Sequence, residues 1–430
     1  MKKISRLLIL FSLLLVSAAN ITYSQQEINF KSNPVTLSQF LLSVKKGNLG
    51  YIAGQFNVSI AEAEFKASKV FPDPEVSVAY SNNEDRTLQM GQSVETGISY
   101  SINTGNKRGA GISLARSQHE LSQVILDAYF QNLRADASLS YFASLKNQKI
   151  YLLQENIYEQ MSRLASTDSI RLKNGEATGI DALQSSLEAR SQQTEVYQSL
   201  ADMQSNLIDL MFLQGKRFSD TLDYPADNFP YKQRDLNLSE LINKAVQNRA
   251  DLLVAIKNKE VSEKNLNLLK ANRAFEFSLE TGYSYNSIVK NEIAPAPAFN
   301  GLSAGISFPI KFSNLNRGSL QAADLAVKQS QTIYEETELQ ITSEVLQAYC
   351  NFIVQNKKVE HYNLGLVGDA DKILQGRIYS YQHGESSLVD VLNAQRTYIG
   401  LQLNYIEALF EYTAALIELE RAAGIWDLTQ

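Results

Sequence analysis

Cysteine is all but missing. The 430 residues contain one, Cys350, so no internal disulfide can form, and stability in an oxidising compartment has to come from packing or oligomerisation. Histidine is nearly as scarce. His119, His361 and His383 are dispersed without metal-ligand spacing, and no catalytic constellation accompanies them, so the chain reads as no enzyme, with no metal and no cofactor. His383 stands beside a turn glycine, where a lone exposed histidine is ordinarily a polar turn residue. Positive charge is not in excess either: 40 Lys and Arg against 46 Asp and Glu leave a net charge of −6. With no basic stripe, nucleic acid is a poor partner. The eight prolines are Pro34, Pro72, Pro74, Pro225, Pro230, Pro295, Pro297 and Pro309. Proline costs a helix interior about 3 kcal/mol, so the proline-free runs 75–224 and 310–430 leave room for very long helices.

What is present begins with a leader. Lys2, Lys3 and Arg6 precede the apolar run Leu7 to Val16 and then small residues, so residues 1–24 read as a signal peptide. The run is too short to span a bilayer as a helix, and an exported, processed chain is expected. Removal of the leader takes three positive charges, leaving 37 − 46 = −9. No cysteine stands near the cleavage region, so a lipid-anchored N-terminus is not expected.

The remainder repeats itself. Residues 171–215 align with 380–424 at a constant offset of 209, with ten identities in 45 pairs, where unrelated sequences would share about two or three. A tandem duplication governs the whole architecture. The first repeat is expected over 25–215, a linker over 216–236, the second repeat over 237–424 and a tail over 425–430. Thr36 caps a helix expected over 37–70; a β-hairpin follows over 75–102, then a long helix from about 109 to 172 and another from about 180 to 213. The second repeat restates this order: a helix over 238–272, a β-hairpin over 277–310, a long helix over 319–381 dented by Gly365 and Gly368, and a last helix over 388–423. In that last helix Val391, Ala394, Tyr398, Leu401, Tyr405, Ala408, Tyr412, Ala415 and Leu419 recur at steps of three and four, the seam of a coiled coil. At 1.5 Å per residue the long helices reach about 100 Å, about twice each short one. Two short helices end to end therefore match one long helix, with the linker at mid-height.

The strands alternate. Val76, Val78 and Tyr80 face one way and Ser77, Ala79 and Ser81 the other; Thr96, Ile98, Tyr100 and Ile102 alternate with Gly97, Ser99 and Ser101. Phe277, Leu279, Thr281, Tyr283 and Tyr285, and then Leu302, Ala304, Ile306, Phe308 and Ile310, continue the apolar face. Four strands are too few to close a membrane barrel. Three copies supply twelve, each near the 9–11 residues that a tilted crossing needs. A soluble coiled-coil adaptor or scaffold with two exposed β-tips is the alternative of a different class.

At the turns the pattern is glycine, five residues, aspartate, one residue, leucine: Gly175, Asp181, Leu183 and Gly384, Asp390, Leu392. Glycine suits the positive φ of a helix-to-helix turn, and an aspartate in the first turn of a helix caps free N–H groups. With the corners at Arg108-Gly109 and Arg317-Gly318 and the tyrosines Tyr141 and Tyr349, the chain resembles a TolC-type outer membrane factor over nearly its whole mature length. That resemblance implies a mainly α fold with a small β part. Duplicated long-helix coiled-coil hairpins and two β-hairpins form a homotrimer, with a 12-stranded outer-membrane β-barrel on an α-helical periplasmic tunnel. It implies a passive exit channel of a tripartite efflux system for small molecules or metal cations, fed by a periplasmic adaptor protein and an inner-membrane pump of RND rather than ABC type. A type I protein-secretion duct is the alternative within the class. The outer membrane lipid surrounds the barrel. By the same resemblance Asp181 bonds Tyr381 at the periplasmic gate and Asp390 contributes a ring of acidic residues at the entrance. A second acidic position is Asn393 here, and an arginine position is Ser386, which implies a less charged closure.

Overall fold

A computed structural model describes residues 31–85, 89–217, 221–232, 234, 236–310 and 316–427; the leader expected at 1–24 lies outside the described residues. The chain begins with β1 (Lys31–Val35), α1 (Leu37–Gly47) and α2 (Leu49–Ala67), followed by the hairpin β2 (Glu75–Asn82) and β3 (Gln92–Asn103). Then come α3 (Lys107–Lys173, 67 residues), α4 (Gly179–Leu213) and β4 (Thr221–Pro225). The second repeat runs through α5 (Leu238–Asn248), α6 (Ala250–Ala271), β5 (Glu276–Asn286), β6 (Phe299–Ser307), α7 (Arg317–His361), α8 (Val367–Gln382) and α9 (Leu388–Ala423). The structure extends the duplication to the first half of each repeat in a second register. Thr36, Leu37, Leu49 and Glu75 correspond to Asn237, Leu238, Ala250 and Glu276, each 201 residues on.

Three expectations need correction. The helix expected over 37–70 is two helices, broken at Asn48, whose ψ of 117° takes the chain out of helical geometry. Its repeat breaks likewise at Arg249, with ψ 125°. The break lies where the returning helix ends. Asn48 Oδ1 accepts from Tyr51 N at 2.9 Å and so caps α2, while its Nδ2 donates to the Leu213 carbonyl at 3.1 Å, satisfying a free C-terminal group of α4. Gly47 and Gly215 let the two backbones touch, since a Cβ on Gly47 would stand 2.1 Å from the Gln214 carbonyl. In the second repeat Arg249 fills the same place, ion-paired to Asp251 and Glu344 and donating to the Ala422 carbonyl. The second correction is that the long helix expected over 319–381 is interrupted by a π turn at Tyr362–Leu366. The third is a parallel strand pair, β1 with β4, that no alternation announced; it joins the start of the first repeat to the linker.

The four long strands form one antiparallel sheet in the order β2-β3-β5-β6. Register places Val76 beside Ile98, Ile98 beside Thr281 and Thr281 beside Ala304, so one face is apolar across all four strands. The opposite face carries Ser77, Gly97, Gly282 and Ser303 in one row. The apolar face is uncovered: Val78 is 71% exposed and Leu302 88%. The helical part has its core at mid-height. Phe352, Tyr412, Leu416 and Leu419 fill it in the second repeat, and Phe40, Tyr141, Phe142 and Leu210 in the first.

Candidate functional site

The helix-turn tips are built by matched local chemistry. Gly175 and Gly384 have φ of 78° and 77°, and nothing stands within 4 Å of where a Cβ would point. Glycine is therefore required for the turn and not for space. The Glu176 N–H donates to the Arg171 carbonyl and the Glu385 N–H to the Ser380 carbonyl, each at 2.8 Å, closing both C-termini in the Schellman manner. Thr178 and Ser387 then cap the upward helices. The Asp181 N–H donates to Thr178 Oγ1 at 3.1 Å, and that hydroxyl donates in turn to Asp181 Oδ2 at 2.7 Å. Ser387 and Asp390 form a full capping box, in which Asp390 Oδ2 accepts from both the N–H and the hydroxyl of Ser387. These bonds hold the Asp390 carboxyl below the usual carboxylate range, the serine hydroxyl being the leading cause.

Asp181 does not bond Tyr381. That hydroxyl donates to Asp168 Oδ1 at 2.8 Å, because Tyr381 turns inward between the hairpins, toward α3, while the Asp181 carboxylate is taken up by its own cap. Asp168 is fully buried. Its Oδ1 lies 3.8 Å from Arg171 Nη1, and the Arg171 guanidinium stands 4.8 Å from the centre of the Tyr381 ring. Burial, then the bond to Asp168, pushes the Tyr381 hydroxyl pKa up, so it remains a donor throughout the neutral range. Ile157, Met161, Leu164, Leu388, Val391 and Leu392 surround the group with apolar surface. One exposed pair, Arg396 to Glu188 at 3.4 Å, also crosses between the hairpins.

Sequence reasoning passed over Asp168 and Arg171, although a signal existed. Gln154, Ile157, Met161, Leu164, Asp168 and Arg171 recur at steps of three and four, which puts charged residues in seam positions. A buried carboxylate requires a partner, and Tyr381 supplies it. At the upper corners the decisive residues are Asn106 and Asn316, with φ of 58° and 55°; asparagine is the non-glycine residue that tolerates this conformation best. Gly109 packs against the Asn106 side chain, whereas Gly318 has open space beside it. Tyr141 and Tyr349 anchor mid-height. The Tyr141 hydroxyl lies 2.8 Å from both the Val35 carbonyl and Asp227 Oδ2, and Tyr349 donates to the Leu236 carbonyl at 3.1 Å. Among the described residues no group of three or more His, Cys, Asp or Glu could hold a metal ion.

Residues 241–425 match the family model described as outer membrane efflux protein. The second repeat thus resembles an outer membrane efflux protein over nearly its whole length. Similarity extends well beyond it. The chain is 20% identical to the cobalt-zinc-cadmium resistance protein CzcC of Cupriavidus metallidurans, over 91% of both chains. It is also 20% identical to the outer membrane protein TolC of Vibrio cholerae, over 87% of this chain and 86% of that one. In structure it superposes on the CmeC outer membrane channel of Campylobacter jejuni with a TM-score of 0.75 at 14% identity, covering 90% of this chain and 85% of the other. The two repeats thus share the fold of that outer membrane channel, a helical body carrying a small sheet.

Proposed function

We propose that the processed chain assembles as a homotrimer in the outer membrane and serves as the passive exit channel of a tripartite efflux system. The carrying observation is the open sheet. β2 and β6 each pair on one side only, and the face that is apolar along all four strands is exposed. An uncovered apolar face with two unpaired edges suits hydrocarbon and strand neighbours. The strands have 8, 12, 11 and 9 residues, close to the length a tilted crossing needs, and three copies make a twelve-stranded barrel. Below it the paired helices line a periplasmic tunnel, to which an adaptor and an RND-type inner-membrane pump bring the cargo. The likeness to a cobalt-zinc-cadmium resistance protein supports metal cations as that cargo, and three copies of Asp390 at the entrance would favour them. Tyr381, held by Asp168 and Arg171, keeps the second tip against the first, while Asp181 stiffens the first turn of α4. Cross-linking of membrane fractions tests the assembly: a trimer in the outer-membrane fraction is expected. A soluble monomer or dimer in the periplasm would favour the scaffold instead.

A further inference from the structure

The four long strands β2, β3, β5 and β6 contain no lysine or arginine. Basic residues gather instead where those strands meet the helices. The stretches 67–74, 103–110, 267–276 and 316–319 hold Lys69, Lys107, Arg108, Lys270, Arg273 and Arg317 against Asp73 and Glu276 alone. In a chain of net charge −6 that is a local reversal of sign. The duplication carries it in both of its registers, Lys270 lying 201 residues after Lys69 and Arg317 lying 209 after Arg108.

Contacts bring these residues to one level. The Arg108 guanidinium donates to the Lys69 carbonyl and stands 3.9 Å from the centre of the Phe71 ring, while Lys69 Nζ stands 3.7 Å from that of Phe65. The Thr104 hydroxyl donates to the Phe275 carbonyl, and Lys107 pairs with Glu276 at 2.8 Å. The ends of α2 and α6 and the start of α3 therefore meet at the helix-side rim of the sheet. Phe71, Phe275, Ile306 and Phe308 at that rim are all more than half exposed. Aromatic rings beside long cationic side chains suit the boundary between hydrocarbon and water. Lys69, Lys270, Arg273 and Arg317 are exposed and enter no ion pair among the described residues, so their charge is left for something outside the chain.

We propose that this girdle binds the anionic headgroups of phospholipids in the leaflet that faces the helical body, with Lys69, Lys270, Arg273 and Arg317 as the residues that meet the negative charge. The girdle is continuous with the uncovered apolar face of the sheet, so a partner that meets its charges must carry hydrocarbon directly beside its own. It also recurs in both repeats and hence on every side of a trimer, as a surrounding ring of lipid requires and a single docked protein does not. The girdle rests on the channel reading, since lipid has to surround the sheet.

Phosphatidylglycerol and phosphatidylcholine share a phosphodiester and differ in net charge, which separates headgroup recognition from apolar contact. The detergent-purified protein is reconstituted in phosphatidylcholine vesicles, and the immobilised fraction of each lipid, spin-labelled on its acyl chain, is read by electron resonance. The protein should hold phosphatidylglycerol over phosphatidylcholine about fivefold, the effect of one well-placed cation at a charged lipid surface. Replacing the four girdle residues together, Lys69→Gln, Lys270→Gln, Arg273→Gln and Arg317→Gln, should bring the ratio close to one, as should high salt in the unaltered protein. Arg163→Gln, Lys173→Gln, Lys357→Gln and Lys372→Gln remove the same charge from exposed positions on the helical body and should leave the preference intact. Equal immobilisation of the two lipids by the unaltered protein, or a preference that survives in the girdle variant, would overturn the girdle while leaving the channel reading in place. If neither lipid is immobilised, the sheet does not enter the bilayer, and the channel reading falls together with the girdle.

Discussion

Asp168 occupies a seam position that pattern alone would assign to leucine, and its burial makes it the most sensitive residue of the tips. Asp168→Ala removes the acceptor of Tyr381 and the countercharge of Arg171. The expected cost is about 1–3 kcal/mol at the contact between hairpins, read as faster hydrogen exchange of the amides of residues 378–382. Asp168→Asn keeps an acceptor for the hydroxyl and should cost less. Asp390 gives a pH signature. Its carboxyl is held below the ordinary range by Ser387, so its contribution to the start of α9 is fully present above about pH 4 and is lost as the pH falls through the lowered value. Exchange at residues 388–391 should show an acid step in the wild type and none in Asp390→Asn. The tip glycines and aspartates were legible because turn chemistry is local. The partner of Tyr381 was not, since it lies 213 residues away and two carboxylates competed for one hydroxyl.

At the scale of elements, the long helices and four long strands were legible from proline-free runs and period-two alternation. The breaks at Asn48 and Arg249 were hidden because their cause is tertiary: each lies where the opposite helix of its own repeat ends. Asn48→Ala removes both the cap of α2 and the bond to Leu213, with an expected loss of about 1 kcal/mol, seen as fraying of residues 49–52 in hydrogen exchange. β1 and β4 escaped notice because five-residue strands that pair in parallel across a whole repeat carry no alternation long enough to read. The sheet permits a sharper contrast. Ile98→Lys puts a charge on the apolar face and should cost about 2–4 kcal/mol toward the bilayer midplane, depleting trimer from the membrane fraction. Ser99→Lys, one residue along on the polar face, should assemble normally.

As a whole molecule, the chain is one architecture written twice and then made unequal. Both repeats keep the broken pair of short helices, the corner asparagines and the glycine turns, and only the second bends its long helix. Duplication was visible in one register of 209 and concealed in the other of 201, because the second β-hairpin and its corner contain extra residues that shift the frame. On the proposed function the chain is a conducting trimer. Single-channel recording of the detergent-purified protein in planar bilayers tests that most directly, with cross-linking to count subunits. Discrete conductance steps from a trimer, and a weaker cation preference in Asp390→Asn, are the predicted result. A protein that never inserts, or one that conducts as a monomer, would contradict it.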